Sequence, residues 1–227
     1  MAITTLDGFL AAPMQRIALL KTTSRTSVAA IPFSVFDVAG NPGAGVLAGT
    51  STTTGVVPTD ATAGCPVINA FGASATGYIT RIEASSNVAC RITLYDMLGK
   101  GGAYPFNAAV TGQTPTSYAS RLPNTAYKGL ELWYEQVTAS TGIQSVNVTY
   151  INQNGTTGRT TGVISQGTAG IIGRMIRLPL QAGDSGIQGV TGVAGSVATV
   201  GTFNILVMRP LAEVRIRVAN DAVIQDL

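Results

Sequence analysis

Glu131 and Glu135 flank Trp133, and two carboxylates beside an aromatic ring are the equipment of a glycoside hydrolase. On a strand all three residues face the same way. Catalytic carboxylates, however, stand roughly 5–10 Å apart across a cleft and come from different elements, so two glutamates on an exposed strand face are the plainer reading. Leu98-Gly-Lys-Gly-Gly102 has the look of a phosphate loop but lacks the GxxxxGK[ST] spacing and a following helix, and reads as a flexible turn. Gly183-Asp-Ser-Gly186 places a serine in a peptidase-like string. The chain has no histidine, so the base that would activate Ser185 is missing, and an Asx turn built by Asp184 accounts for the string better. The same absence removes the commonest metal ligand. Cys65 and Cys90 show no CxxC spacing, and Cys90 alternates with Val88, Ile92 and Leu94 as a small core residue would; a disulfide between the two stays open. The expectation is a protein without catalytic residues, metal or cofactor.

Behind these residues stands an unusual composition. Of 227 residues only 11% are charged, 45% are hydrophobic and 27 are glycine. Soluble domains average about 25% charged, so much of this surface must be neutral Thr, Ser, Ala and Gly. Such a surface is cheap to desolvate against a partner, because no charged rim has to be stripped of water. The net charge of +3 is scattered without runs, which gives no support to nucleic-acid binding. No stretch reaches the roughly 18 apolar residues of a membrane span, and Asp7, Pro13 and Arg16 make the first twenty residues a poor signal peptide. No membrane partner is expected. Two sequons, at Asn147 and Asn154, are what chance provides in a chain this rich in Ser and Thr.

The elements that must position everything else are strands. Residues 1–74 carry short apolar pieces between Thr, Ala, Gly and Pro and read as an arm or extended wrap, with a short broken helix where Phe9, Pro13, Ile17 and Leu20 fall at helical spacing. Leu6, Phe9, Leu10, Met14, Ile17 and Leu20 form an apolar set too dense to leave in water. They are the expected partner-binding residues of the arm, with packing on the chain's own sandwich as the competing account. Residues 75–227 read as the folded domain. Val88, Cys90, Ile92 and Leu94 alternate with Arg91, Thr93 and Tyr95; Val146, Val148 and Tyr150 repeat the device; and Asn154-Gly155 marks a hairpin with residues 159–164 returning. Further strands fall at residues 130–137, 174–180, 202–208 and 213–218. Six to eight strands with turn-rich links and no long helix predict an all-β, two-sheet sandwich, jelly-roll or Greek-key, with an extended N-terminal arm; a barrel is the runner-up. The link at residues 99–128 reads as a long loop, whose Tyr104, Phe106 and Tyr118 are the second expected partner-binding set, with the pinning of the loop to the chain's own sandwich as the competing and commoner account.

The segment Gly173-Arg-Met-Ile-Arg-Leu-Pro-Leu180, with Gly183-Asp-Ser-Gly186, Val200-Gly-Thr-Phe-Asn204, Tyr127-Lys-Gly-Leu-Glu-Leu-Trp133 and the Asn154-Gly155 hairpin, resembles small virion structural proteins of tailed bacteriophages over residues 75–218. These strings carry no chemistry. The resemblance implies a capsid decoration or cement protein on the virion surface, assembled in the host cytoplasm, with the major capsid protein and further copies of itself as partners. A homo-oligomer is expected, a trimer among the symmetric options. The alternative is a receptor- or carbohydrate-binding β module of a neck, tail or fibre, reading sugars with Tyr104, Tyr118 and Trp133.

Overall fold

The computed structural model describes residues 3–26, 28–72, 76–107, 109–111, 115, 117–123, 126–166, 170–195 and 200–227. One five-residue helix, α1 (Leu6–Leu10), is followed by β1 (Leu20–Lys21), β2 (Gly40–Asn41), β3 (Ser51–Val56), β4 (Arg81–Ser85), β5 (Cys90–Pro105) and β6 (Ala109–Thr111). After a 3-10 turn at Ala119–Arg121 come β7 (Glu131–Thr138), β8 (Gln144–Asn152), β9 (Arg159–Thr160), β10 (Ile164–Gln166), β11 (Met175–Leu178), β12 (Ile187–Gly195), β13 (Thr202–Ile216) and β14 (Ala222–Asp226).

Two five-stranded antiparallel sheets carry the domain, one in the order β11-β7-β13-β5-β3 and the other β10-β8-β12-β6 with β9 also on β8. Along the chain from β5 to β13 nearly every connection crosses from one sheet to the other; only the hairpin from β8 to β9 and β10 stays within its sheet. Interleaving β5-β13-β7-β11 with β6-β12-β8-β10 in this way is the double Greek key of a jelly-roll. Inward residues of both sheets, among them Leu132, Tyr134, Phe203, Ile205 and Val207 from the first and Val146, Val148, Tyr150, Ile187 and Val193 from the second, fill one shared core. This is the period-two alternation of the sequence made physical: each strand gives every second side chain to the space between the sheets.

Three expectations need correction. Leu98-Gly-Lys-Gly-Gly102 is no turn; it lies inside the sixteen-residue β5, so the expected loop at residues 99–128 begins only after Pro105. The strands expected at 202–208 and 213–218 are one strand, β13, which runs through Pro210 by way of a register shift between Pro210 and Ala212. A bulge leaves a proline without a ladder hydrogen bond to donate, which is why the strand survives it. Val218, the last residue of the strand expected at 213–218, lies beyond the end of β13 and is 62% exposed.

The N-terminal third is not one uniform arm. β3 belongs to the first sheet, as the edge strand beside β5. Residues 32–49 cross the outer face of that sheet: Met175 N–H donates to Pro32 O at 2.9 Å, Ser34 N–H to Gly173 O at 2.8 Å, and Lys100 Nζ to Val46 O at 2.7 Å. The expected division between residues 74 and 75 falls outside the described residues. β4 and β14, not foreseen from sequence, pair with each other as a separate ribbon.

Candidate functional site

Tyr104, Phe106 and Tyr118, expected to meet a partner from a loop, are buried in the core instead. Tyr104 and Phe106 close on Phe203 with ring centroids 5.7 and 4.8 Å apart, and Tyr118 donates its hydroxyl to Ile187 O at 2.7 Å. Burial pushes the Tyr118 hydroxyl far above its ordinary value, so it remains a proton donor to that carbonyl. The aromatic-rich stretch is thus pinned to its own sandwich by rings that need burial and a hydroxyl that needs an acceptor. Trp133 is buried as well, so none of the three rings expected to read a sugar presents a face to one.

The six apolar residues of the N-terminal set have the opposite fate. Leu6, Phe9, Leu10, Met14, Ile17 and Leu20 are all exposed, Leu6 to 72% and Met14 to 68%. α1 is started by Thr5, whose hydroxyl accepts from Gly8 N–H at 3.1 Å, and it buries none of its residues. It ends at Leu10, before Pro13, since proline disfavours helical backbone in the residue ahead of it. Beyond it Gln15 holds the backbone of Asn69 through its side-chain amide. From Lys21 onward the chain is tied down: Lys21 Nζ donates to Val38 O and Pro42 O at 2.9 and 3.1 Å, and Arg25 pairs with Asp37 and donates to Ile172 O at 2.9 Å.

Glu131 and Glu135 do share a face with Trp133, but that face is covered, not exposed. Glu131 accepts from Trp133 Nε1 at 2.9 Å and from Tyr95 at 3.2 Å, and pairs with Arg177 at 3.1 Å. Burial, and then the neighbouring Glu131 carboxylate, push the Tyr95 hydroxyl up to about 12. Glu135 lies under the wrap with Asn204 and Lys100. Four residues of strand separate the two glutamates by roughly 13 Å at about 3.3 Å per residue, beyond the spacing of a hydrolytic pair.

The cluster around Glu135 is what anchors the wrap. Asn204 Nδ2 donates to Leu47 O at 2.6 Å and to Glu135 Oε2 at 2.8 Å, while its Oδ1 accepts from Gly49 N–H at 2.8 Å. The close approach depends on glycine. A Cβ at Gly102, where φ is +146°, would stand 2.3 Å from Asn204 Oδ1, and one at Gly49 would stand 2.9 Å from the Gly102 backbone. So Gly102 serves chain crossing, whereas a Cβ at Gly101 would meet the Tyr104 hydroxyl at 2.5 Å. Burial lowers the pKa of Lys100 and raises that of Glu135. A cleft beside this cluster, lined by Thr54, Lys100, Tyr104, Tyr118 and Val190, encloses about 40 Å³. A small-molecule site needs roughly 300–1,000 Å³.

At the hairpin, Asp184 works differently from the Asx turn expected of it. Its carboxylate accepts from Tyr150 at 2.6 Å, Asn152 at 2.8 Å and Arg159 Nε at 2.8 Å. The turn-forming side chain is Asn152, whose Oδ1 accepts from Asn154 and Thr156 N–H. Arg159 first, helped by Tyr150 and Asn152, holds the Asp184 carboxyl down at about 2, from an ordinary 3.8. A depressed carboxyl contributes stability above its unfolded pKa and loses it as pH falls through the folded one. Wild-type melting temperature should therefore drop as pH falls from 4 towards 2, and Asp184→Asn should flatten that limb while lowering stability at pH 7 by about 1–3 kcal/mol. Equal acid limbs in the two proteins would refute this role.

Cys65 and Cys90 are free thiols, and burial raises the pKa of Cys65. Among the described residues no three His, Cys, Asp or Glu side chains gather as metal ligands would, and no helix is long and apolar enough to cross a membrane. No protein-family model matches the chain, and no curated protein or solved structure is significantly similar to it. The architecture is an all-β jelly-roll with a docked N-terminal wrap and an exposed apolar segment ahead of it. Jelly-rolls serve capsids, lectins and cupins alike, so the fold does not by itself select a function.

Proposed function

We propose that the chain is a non-enzymatic virion structural protein that binds and reinforces a bacteriophage capsid as a decoration or cement protein. Its partners are then the major capsid protein and further copies of itself. The observation that carries this reading is the exposed apolar segment from Leu6 to Leu20 on a chain whose residues are only 11% charged. Exposed large apolar side chains this dense along one segment belong at an interface.

Magnitudes shape the proposal. Fully burying one large aliphatic side chain is worth roughly 1.5–3 kcal/mol, so six already partly covered ones supply about 5–9 kcal/mol. Association costs about 4–15 kcal/mol in lost freedom, and ordering the segment costs more. A single arm barely balances that cost. Linked copies on a symmetric shell overcome it by avidity, which is why self-association belongs to the same reading.

The test is saturable binding of the purified protein to empty shells of the virus that encodes it, together with its copy number per particle. Hundreds of copies and saturable shell binding are expected. A dozen copies or fewer, or glycan-array binding without shell binding, would overturn the reading in favour of a neck, tail or fibre module.

A further inference from the structure

Lys100, Glu135 and Asn204 lie on three adjacent strands of one sheet, with β13 between β5 and β7, and expose only 8%, 2% and 0% of their surface. Asn204 stands directly opposite Glu135, while Lys100 stands opposite Leu206, two residues along the same face. That makes Lys100 the diagonal neighbour of Asn204, within reach for a long side chain. A buried amine, carboxyl and carboxamide side by side are a costly choice for a sheet face, since each needs partners that an apolar residue would not.

Together they carry the three groups that amide aminolysis uses, in which an amine displaces ammonia from a carboxamide. The reaction needs an unprotonated amine, a polarised carbonyl and an acid at the leaving nitrogen. The Asn204 carbonyl oxygen accepts the Gly49 N–H at 2.8 Å, a fixed donor of the kind that stabilises a developing oxyanion. Its nitrogen, the leaving atom, sits 2.8 Å from Glu135 Oε2. Lys100 Nζ and Asn204 Nδ2 are held on the consecutive carbonyls of Val46 and Leu47, so amine and carboxamide share one compartment. The Phe36 ring stands 4.9 Å from Nζ and helps shut water out. Burial shifts Lys100 towards the free amine and Glu135 towards the protonated acid, the forms in which the reaction starts.

We infer that Lys100 and Asn204 join in an intramolecular isopeptide cross-link, with Glu135 as the proton shuttle. The neutral Nζ leaves the Val46 carbonyl and adds to Cγ of Asn204, placing negative charge on Oδ1 against Gly49 N–H. Glu135 gives its proton to Nδ2 and takes one from Nζ. The Cγ–Nδ2 bond breaks, ammonia departs, and a secondary amide remains with Glu135 again protonated. No oxidant or reductant is needed. The product ties β5 to β13, the two longest strands, at the point where the wrap crosses them.

Intact-mass spectrometry of the purified full chain tests this directly. The wild-type protein should weigh about 17 Da less than its sequence, the mass of the ammonia displaced by the amine, and a tryptic digest should contain a branched peptide linking Lys100 to Asn204. Lys100→Arg and Glu135→Gln should run at full sequence mass. Wild-type protein at full mass, or a deficit mapped to another residue, overturns the cross-link whether or not the variants fold. Cross-linked Glu135→Gln overturns the shuttle assignment.

Discussion

Replacing Phe203 by alanine is expected to cost about 3–5 kcal/mol of folding stability, the range for truncating a fully buried aromatic side chain. Phe203 is 0% exposed at the middle of the first sheet, and its ring centroid lies 4.8 Å from that of Phe106, 5.2 Å from Tyr134 and 5.7 Å from Tyr104. Those rings come from β7, from β5 and from just beyond β5, so the cavity would open where chain segments distant in sequence converge. Aromatic pairs contribute about 0.5–1.5 kcal/mol beyond their buried area. Against a whole-domain stability of about 5–15 kcal/mol, such a loss removes much of the margin. Urea unfolding at neutral pH measures it, with Val218→Ala as a surface control that should shift stability by less than about 0.5 kcal/mol. A loss below about 1 kcal/mol for Phe203→Ala would mean that the aromatic cluster is not the core.

That cluster also marks the limit of what the sequence discloses. Alternation at Val146, Val148 and Tyr150 is legible because a half-buried strand must repeat every second residue, and the strands that follow the rule lie where expected. Tyr104 and Phe106 follow the rule too, but four glycines and a proline lie around them in the chain, and glycine is a turn signal when its neighbours are unknown. Only the wrap passing over the sheet shows why Gly102 is there. Glu135 was misplaced for the same reason: which face of a strand is covered depends on residues 34–49, nearly a hundred positions away, and no local period encodes that. The ribbon of β4 and β14 is not legible in the sequence because each strand is five residues long and pairs with a strand far along the chain. The apolar density of the N-terminal set, by contrast, is legible from composition alone, but its exposure is not, since composition leaves packing on the chain's own sandwich equally open. An apolar density ahead of the first strand is conspicuous whatever the fold behind it does.

Removing residues 1–19 is expected to leave the melting temperature within about 2 °C of the full chain, since a change of 1 kcal/mol moves a domain of this size by roughly 2–4 °C. The segment to be removed contains Leu6, Phe9, Leu10, Met14 and Ile17, none of them buried, so its loss opens no cavity. The cut must stop there. Leu20 and Lys21 pair with Asn41 and Gly40, and Lys21 and Arg25 fasten the wrap, so a longer deletion would confound tethering with stability. The tie between Gln15 and the Asn69 backbone that is lost with it is solvent-exposed and contributes little to folding. Shell binding should respond very differently. If these side chains are the docking surface, losing even a third of their roughly 5–9 kcal/mol weakens each contact by more than tenfold, because about 1.4 kcal/mol is a factor of ten, and avidity multiplies the deficit over linked copies. Calorimetry and shell co-sedimentation on the same preparation separate the outcomes. Unchanged melting with lost binding identifies the segment as the tether, whereas a large fall in melting temperature, or undiminished binding, sinks the idea.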